Sequence, residues 1–233
     1  MKSHLSMRSG NPALNSKIFT SSIEEGFEKM TIGGTVNKTV LSLLLLMITA
    51  SYTFVNESYG LMFFGFIGGF IMALITIFKK TWAPYTVPGY AILEGLALGG
   101  ISQIFEQKYP GIASQAIFLT FGILAALLLA YKTKLIKPTE NFKLGVTAAT
   151  GGIFIMYLIS WVIGLFSSGA SILSPDNTSL FSIGISLFVV VIASLNLVLD
   201  FDFIEEGSER GAPKYMEWYG AFGLLITLIW LYL

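Results

Sequence analysis

The chain contains no cysteine, which excludes disulfides, thiolate metal sites and cysteine nucleophiles. Its single histidine, His4, lies in the polar N-terminal stretch. A histidine-ligated metal or a serine–histidine relay inside the apolar body is therefore excluded as well. Charge is scarce: 12% of residues are Asp, Glu, Lys or Arg, against about 25% in a soluble domain. The charges balance to zero, so there is no basic surplus to hold a nucleic acid. A phosphate-binding glycine loop, a His-Glu-x-x-His zinc motif and a dinucleotide glycine fingerprint are all missing. The expectation is a non-enzyme with no cofactor.

What the chain has instead is apolar length. Fifty-four per cent of it is hydrophobic, and a helix needs about 20 apolar residues to cross a hydrocarbon core about 30 Å thick. Runs of that order lie at 36–56, 59–78, 83–105, 112–131, 144–166, 180–203 and 215–233. Asn56-Glu57-Ser58 separates the first two as a tight hairpin, Lys79-Lys80 closes the second, and Tyr109-Pro110-Gly111 divides the third from the fourth. Pro84, Pro110 and Pro213 fall at or just before helix starts, where a missing N–H costs little. The expected fold is an all-α integral membrane protein, a seven-transmembrane-helix bundle, with the lipid bilayer as its principal partner.

Lys and Arg set the orientation. Lys2, Arg8, Lys17, Lys29 and Lys38 precede or open the first run. Lys79, Lys80, Lys132, Lys134, Lys137, Lys143, Arg210 and Lys214 fall in loops on the same side, and only Lys108 is opposite. The positive-inside rule then places the N-terminus in the cytoplasm. Residues 1–35 form a polar N-terminal segment and 36–233 the membrane domain. Phe19, Ile23, Phe27 and Met30 recur at helical spacing behind a Ser22-Ile-Glu-Glu25 capping box. This segment reads either as a short helix on the membrane surface or as a frayed tail. The first apolar run begins only near Val36, so no secretory signal is read. Gly65-xxx-Gly69 and Gly95-xxx-Gly99 are read as close helix packing.

An ionisable group within such runs is costly and marks a site candidate. The sixth run carries Ser182, Ser186, Asn196 and Asp200 near one stripe. That stripe either lines a water-accessible path or ends in a charge among headgroups. Asp202 is about 200° further round and reads as a solvated interfacial acid or a rival partner. Glu217 opens the seventh run, and a loop through Gly207 and Gly211-Ala-Pro213 would place it at the depth of Asp200. Two carboxylates so placed would share a proton, the basis of a pH sensor. Fully ionised, Asp200 and Glu217 would offer oxygen ligands to Ca²⁺ in passing. Glu94 sits mid-way through the third run, where a carboxylate costs at least ~2.5–3.5 kcal/mol unless protonated or paired. It serves either permeation or a structural hydrogen bond. Asp200-Phe-Asp202 does not read as an intramembrane aspartyl protease, because both acids lie at a membrane edge. Asn37-Lys-Thr39 and Asn177-Thr-Ser179 match the glycosylation sequon, and only the second would face outside.

Several stretches in order, from Met30 to the end, resemble the Bax inhibitor-1 family in its bacterial-type branch. They include Trp82-Ala-Pro-Tyr-Thr-Val-Pro-Gly-Tyr-Ala-Ile-Leu-Glu-Gly95, Leu199-Asp-Phe-Asp-Phe-Ile-Glu-Glu-Gly207 and Gly211-Ala-Pro-Lys-Tyr-Met-Glu-Trp-Tyr219. The resemblance implies a central helix ringed by the other six and a pH-dependent calcium leak across a bacterial plasma (inner) membrane. It also implies a di-acidic sensor divided between spans 6 and 7. Asp200 followed by Ile204 matches the first half of that sensor, and Glu217 within Tyr215-Met-Glu-Trp218 the second, with Glu in place of Asp. The expected function is a calcium (cation) leak channel gated by the Asp200–Glu217 pair. Asp202 would be a further sensor candidate, and Glu94, Asn196 and Ser186 would line the ion path. The alternative is a regulator that binds a membrane protease or another membrane protein.

Overall fold

The computed structural model describes residues 28–166 and 179–233. Seven α-helices are present among them: α1 Ile32–Asn56, α2 Tyr59–Phe78, α3 Ala83–Lys108, α4 Ile112–Lys132, α5 Glu140–Phe166, α6 Leu180–Glu209 and α7 Met216–Tyr232. A short 3₁₀ turn, Lys80–Trp82, leads into α3. The seven-helix bundle expected from the apolar runs is what forms. His4, Phe19, Ile23, Phe27 and Asn177 lie outside the described residues.

Local chemistry sets the helix ends. The Thr31 hydroxyl caps α1 by accepting from the Gly34 N–H at 2.9 Å. Pro84 lies in the first turn of α3, where its missing N–H costs no intrahelical bond. Gly111, at φ +90°, makes the left-handed turn into α4 that a side chain would resist. The Ser179 hydroxyl starts α6 by accepting from the Ser182 N–H at 3.2 Å. Gly211, at φ +65°, ends the turn that follows it.

One boundary differs from expectation. The sixth run ends near residue 203 on hydropathy, yet α6 continues through Ile204, Gly207 and Glu209. Its charged last turns are held by neighbours: the Tyr131 hydroxyl of α4 donates to Glu205, and Arg210 pairs with Glu206 one turn back.

Five helices, α1, α2, α4, α5 and α6, are long and apolar enough to cross a membrane by themselves. α7 has 17 residues, about 26 Å of rise. It is the central helix, with 13 of those residues buried and with α1, α3, α4 and α6 packed round it. Tyr90 of α3 meets Phe222 of α7 edge to face at 5.1 Å in that core.

Glycines let the backbones of the flanking helices touch. A Cβ at Gly65 would stand 2.7 Å from the Ala97 nitrogen of α3, and one at Gly99 would stand 2.8 Å from the Ala50 carbonyl carbon of α1. The two small-residue pairs therefore seat α2 and α1 on either side of α3.

Four connections meet at one end. The Met30 N–H donates to the Ala212 carbonyl at 2.6 Å, and the Lys214 N–H donates to the Glu28 carbonyl at 2.8 Å. Lys80 lies 5.7 Å over the Tyr219 ring, and Tyr131 reaches Glu205. The N-terminal segment, the α2–α3 turn, the end of α4 and the α6–α7 turn thus share a face, as the one-sided distribution of Lys and Arg requires.

Candidate functional site

Glu217 stands in the first turn of α7, wholly buried, at the basic end of the bundle. Thr31, Gly34 and Lys38 follow one another at spacings of three and four, which places them on a single face of α1. That face holds the carboxylate. The Thr31 N–H donates to Glu217 Oε1 at 3.0 Å and the Thr31 hydroxyl donates to the same oxygen at 2.9 Å. The Lys38 ammonium donates to Oε2 as an ion pair, and Lys214 Nζ lies 3.5 Å from Oε1. The carboxylate also faces the N-terminus of α1, whose dipole favours an anion. Gly34 supplies the space, since a Cβ there would overlap the carboxylate. Lys38 in turn lies 5.7 Å over the Trp218 ring. Glu217 is therefore a fastening between the start of α1 and the start of α7.

Asp200 is wholly buried in α6, and among the described residues neither of its carboxylate oxygens has a hydrogen-bond partner. The buried Thr227 of α7 is the polar side chain that approaches it, without completing a bond of good geometry. Thr227 lies ten residues, about 15 Å of helix rise, along α7 from Glu217. The expectation that Asp200 and Glu217 share a proton at one depth is corrected accordingly. Because α6 runs on to Glu209, Asp200 sits deeper in the bundle, level with Thr227 instead of Glu217. The same separation removes the pair as a joint Ca²⁺ ligand in this arrangement. Among the described residues no group of three or more acidic or histidine side chains is placed to hold a metal.

The other acids of the cluster are taken up by neighbours. Asp202 pairs with Lys143 of α5, whose side chain is 9% exposed. It is neither a freely solvated acid nor a partner of Asp200. Glu205 and Glu206 hold Tyr131 and Arg210 as described.

The expected polar stripe of α6 divides. Asn196 is buried and donates to the Thr150 hydroxyl of α5 and to the Ile192 carbonyl, both at 2.8 Å, while its Oδ1 has no partner. Ser186 faces outward and lines nothing inside the bundle. In that half of α6 the buried contact is Val189 and Ile192 against Ile153 of α5, with Trp230 of α7 packed beside them, and Ser186 lies outside it. Glu94 is half-buried between α3 and α2. A Cβ at Gly69 of α2 would stand 2.5 Å from its Oε2. It lies on the α2 side of α3, away from α6, so it does not join Asp200.

Four residues of the site carry signals that hydropathy does not weigh. Lys38 reads in sequence as an orientation charge, and its role as counter-ion follows only from the heptad it forms with Thr31. Gly34 and Thr227 are ordinary small residues of an apolar run until their neighbours are known.

What this arrangement can do follows from Asp200. An ionised carboxylate without a counter-charge in a bundle interior requires a proton, water or a cation to satisfy it. Glu217, by contrast, is already neutralised and ties two helices together.

The family model described as "Bax inhibitor 1 like" matches residues 11–233, nearly the whole chain. No curated protein and no solved structure matches it.

Proposed function

Because the chain belongs to the Bax inhibitor 1-like family of membrane proteins, we propose that it is a pH-sensitive calcium (cation) leak channel of a bacterial plasma membrane. Its N-terminus is cytoplasmic in this reading. Asp200 is the sensor and Glu217 the gate, acting from two depths of the α6–α7 pair and not as one proton-sharing couple. The observation that carries the reading is the enclosed Asp200 carboxyl with both oxygens unpartnered beside α7. When it ionises, the least costly response is to part α6 from α7 and admit water or a cation. The Glu217–Lys38–Thr31 fastening holds α7 to α1 at the basic end and so restrains the movement of α7 in that parting.

Calcium flux into dye-loaded liposomes from about pH 6 to 8 tests this. Asp200→Asn is expected to abolish the pH dependence. Glu217→Gln is expected to raise the basal leak while keeping the pH profile, because it loosens the gate and spares the sensor. A pH-dependent flux that Asp200→Asn leaves unchanged would remove Asp200 from the role.

One observation favours the second reading, a regulator that docks another membrane protein. α5 packs chiefly on α6, and its Gly145, Gly151, Gly152 and Gly164 have, among the described residues, no neighbouring atoms where a Cβ would stand. Such a face suits close approach by a foreign helix. Gly151→Leu should abolish partner capture under this reading and leave flux intact under the first.

A further inference from the structure

A cavity of about 400 Å³ lies in the half of the bundle away from the basic end, between α1 and α4, with α3 and α7 behind it. That volume falls in the range of small-molecule sites, about 300–1,000 Å³. None of the acids of the α6–α7 region lines it.

Its polarity is graded along the membrane normal. The deep end is walled by Leu43, Leu46 and Leu228, and the end nearest the α3–α4 turn carries Ser102, Glu106 and Tyr232. Ser102 and Tyr232 are hydrogen-bonded to each other at 2.6 Å. Glu106 is held in place by the backbone of that turn, accepting from the Gly111 N–H at 2.6 Å and the Ala113 N–H at 3.0 Å. Each carboxylate oxygen keeps a further acceptor position. The rim residues Met47, Ile117 and Phe121 are 40%, 37% and 37% exposed, so the opening faces the bilayer and not water.

The length of the cavity identifies what enters it. From Leu43 to Val55, both of which line it, α1 rises about 18 Å. Half of a hydrocarbon core about 30 Å thick is about 15 Å. The cavity thus runs from mid-membrane to one interface, with a fixed anion at the interfacial end. We propose that it is a binding site for one lipid of that leaflet, with a hydrocarbon chain lying along α1 and an ammonium headgroup donating to Glu106. A primary ammonium can donate to the free acceptor positions. A choline cannot, and an anionic headgroup is repelled.

The test uses the full chain, stripped of lipid in detergent and titrated with dioleoyl phosphatidylethanolamine, phosphatidylcholine or phosphatidylglycerol under native mass spectrometry. One equivalent of phosphatidylethanolamine should bind at least about tenfold more tightly than phosphatidylglycerol, a difference of about 1.4 kcal/mol. Glu106→Gln should erase the preference over phosphatidylcholine while one chain still binds. Ser51→Trp, at an exposed position on the opening, should abolish binding of all three. If that variant loses its fold, Ile117→Trp closes the same opening from α4 and carries the same expectation. The proposal is overturned by non-saturating uptake, by equal or tighter binding of phosphatidylglycerol, or by binding that persists in a folded plugged variant.

Discussion

Gly34 of α1 vacates the volume that the Glu217 carboxylate of α7 occupies: a Cβ at Gly34 would overlap Cδ and both oxygens of that side chain. The two residues are far apart in sequence, and the fit between them fixes how the N-terminal helix meets the central one.

Gly34→Ala should therefore act through Glu217. The carboxylate is pinned by Thr31 and Lys38 and cannot swing aside without breaking those bonds. The expected loss is about 3 kcal/mol in unfolding free energy, as for breaking a buried ion pair. In a Glu217→Ala background the same substitution should cost little, and a double-mutant cycle in detergent measures the coupling. A full penalty in both backgrounds would mean that the glycine serves the helix and not the carboxylate.

Lys38→Met removes the principal counter-charge of a wholly buried carboxylate. It should destabilise by about 3 kcal/mol, since a buried charge left unpaired is costly. Lys38→Met combined with Glu217→Gln should recover a large part of that loss. Trp218, which lies beside Lys38, gives a fluorescence signal for the unfolding transition.

Asp200→Asn should leave thermal stability unchanged or raise it, because no hydrogen bond to either carboxylate oxygen is lost. A stability gain joined to a loss of pH response is the pattern of a group kept for activity. A fall of several degrees in Tm would show instead that Asp200 holds the fold together.

Gly99→Ala places a methyl group against the Ala50 backbone, which cannot rotate away. The α1–α3 contact must open, and overpacking of this kind costs about 1–3 kcal/mol. Gly151→Ala on α5, where a Cβ meets nothing, should be neutral or mildly stabilising, as expected for Gly to Ala in a helix. Parallel thermal melts of the two variants compare a packed glycine with an open one.

The separation of Asp200 from Glu217 depends on a boundary that hydropathy misplaces. The sequence Ile204-Glu-Glu-Gly207 reads as a loop because charge and glycine interrupt the apolar run. Tyr131 and Arg210 engage those glutamates, however, and the helix persists to Glu209. Extending α6 by these turns moves Asp200 away from Glu217 and opposite Thr227. A six-residue error in one helix end is thus enough to turn an apparent pair of acids into two separate sites.

The sequence alone determined the seven helices and their alternation. It determined as well that the few acids near Asp200 and Glu217 are where the fold departs from a plain apolar bundle. The reason is local: burying a run in lipid is decided by the transfer free energy of its own residues, and loops are marked by charge, glycine and proline nearby. Only the tertiary structure decided that α7 is the central helix, that Asp202 answers Lys143, and that Glu217 answers Thr31 across 186 positions of sequence. Every helix of the bundle is apolar, so its composition does not say which face meets which neighbour. That choice is made by glycine-sized gaps and the few polar groups that must be satisfied together, and these become neighbours only when the helices pack.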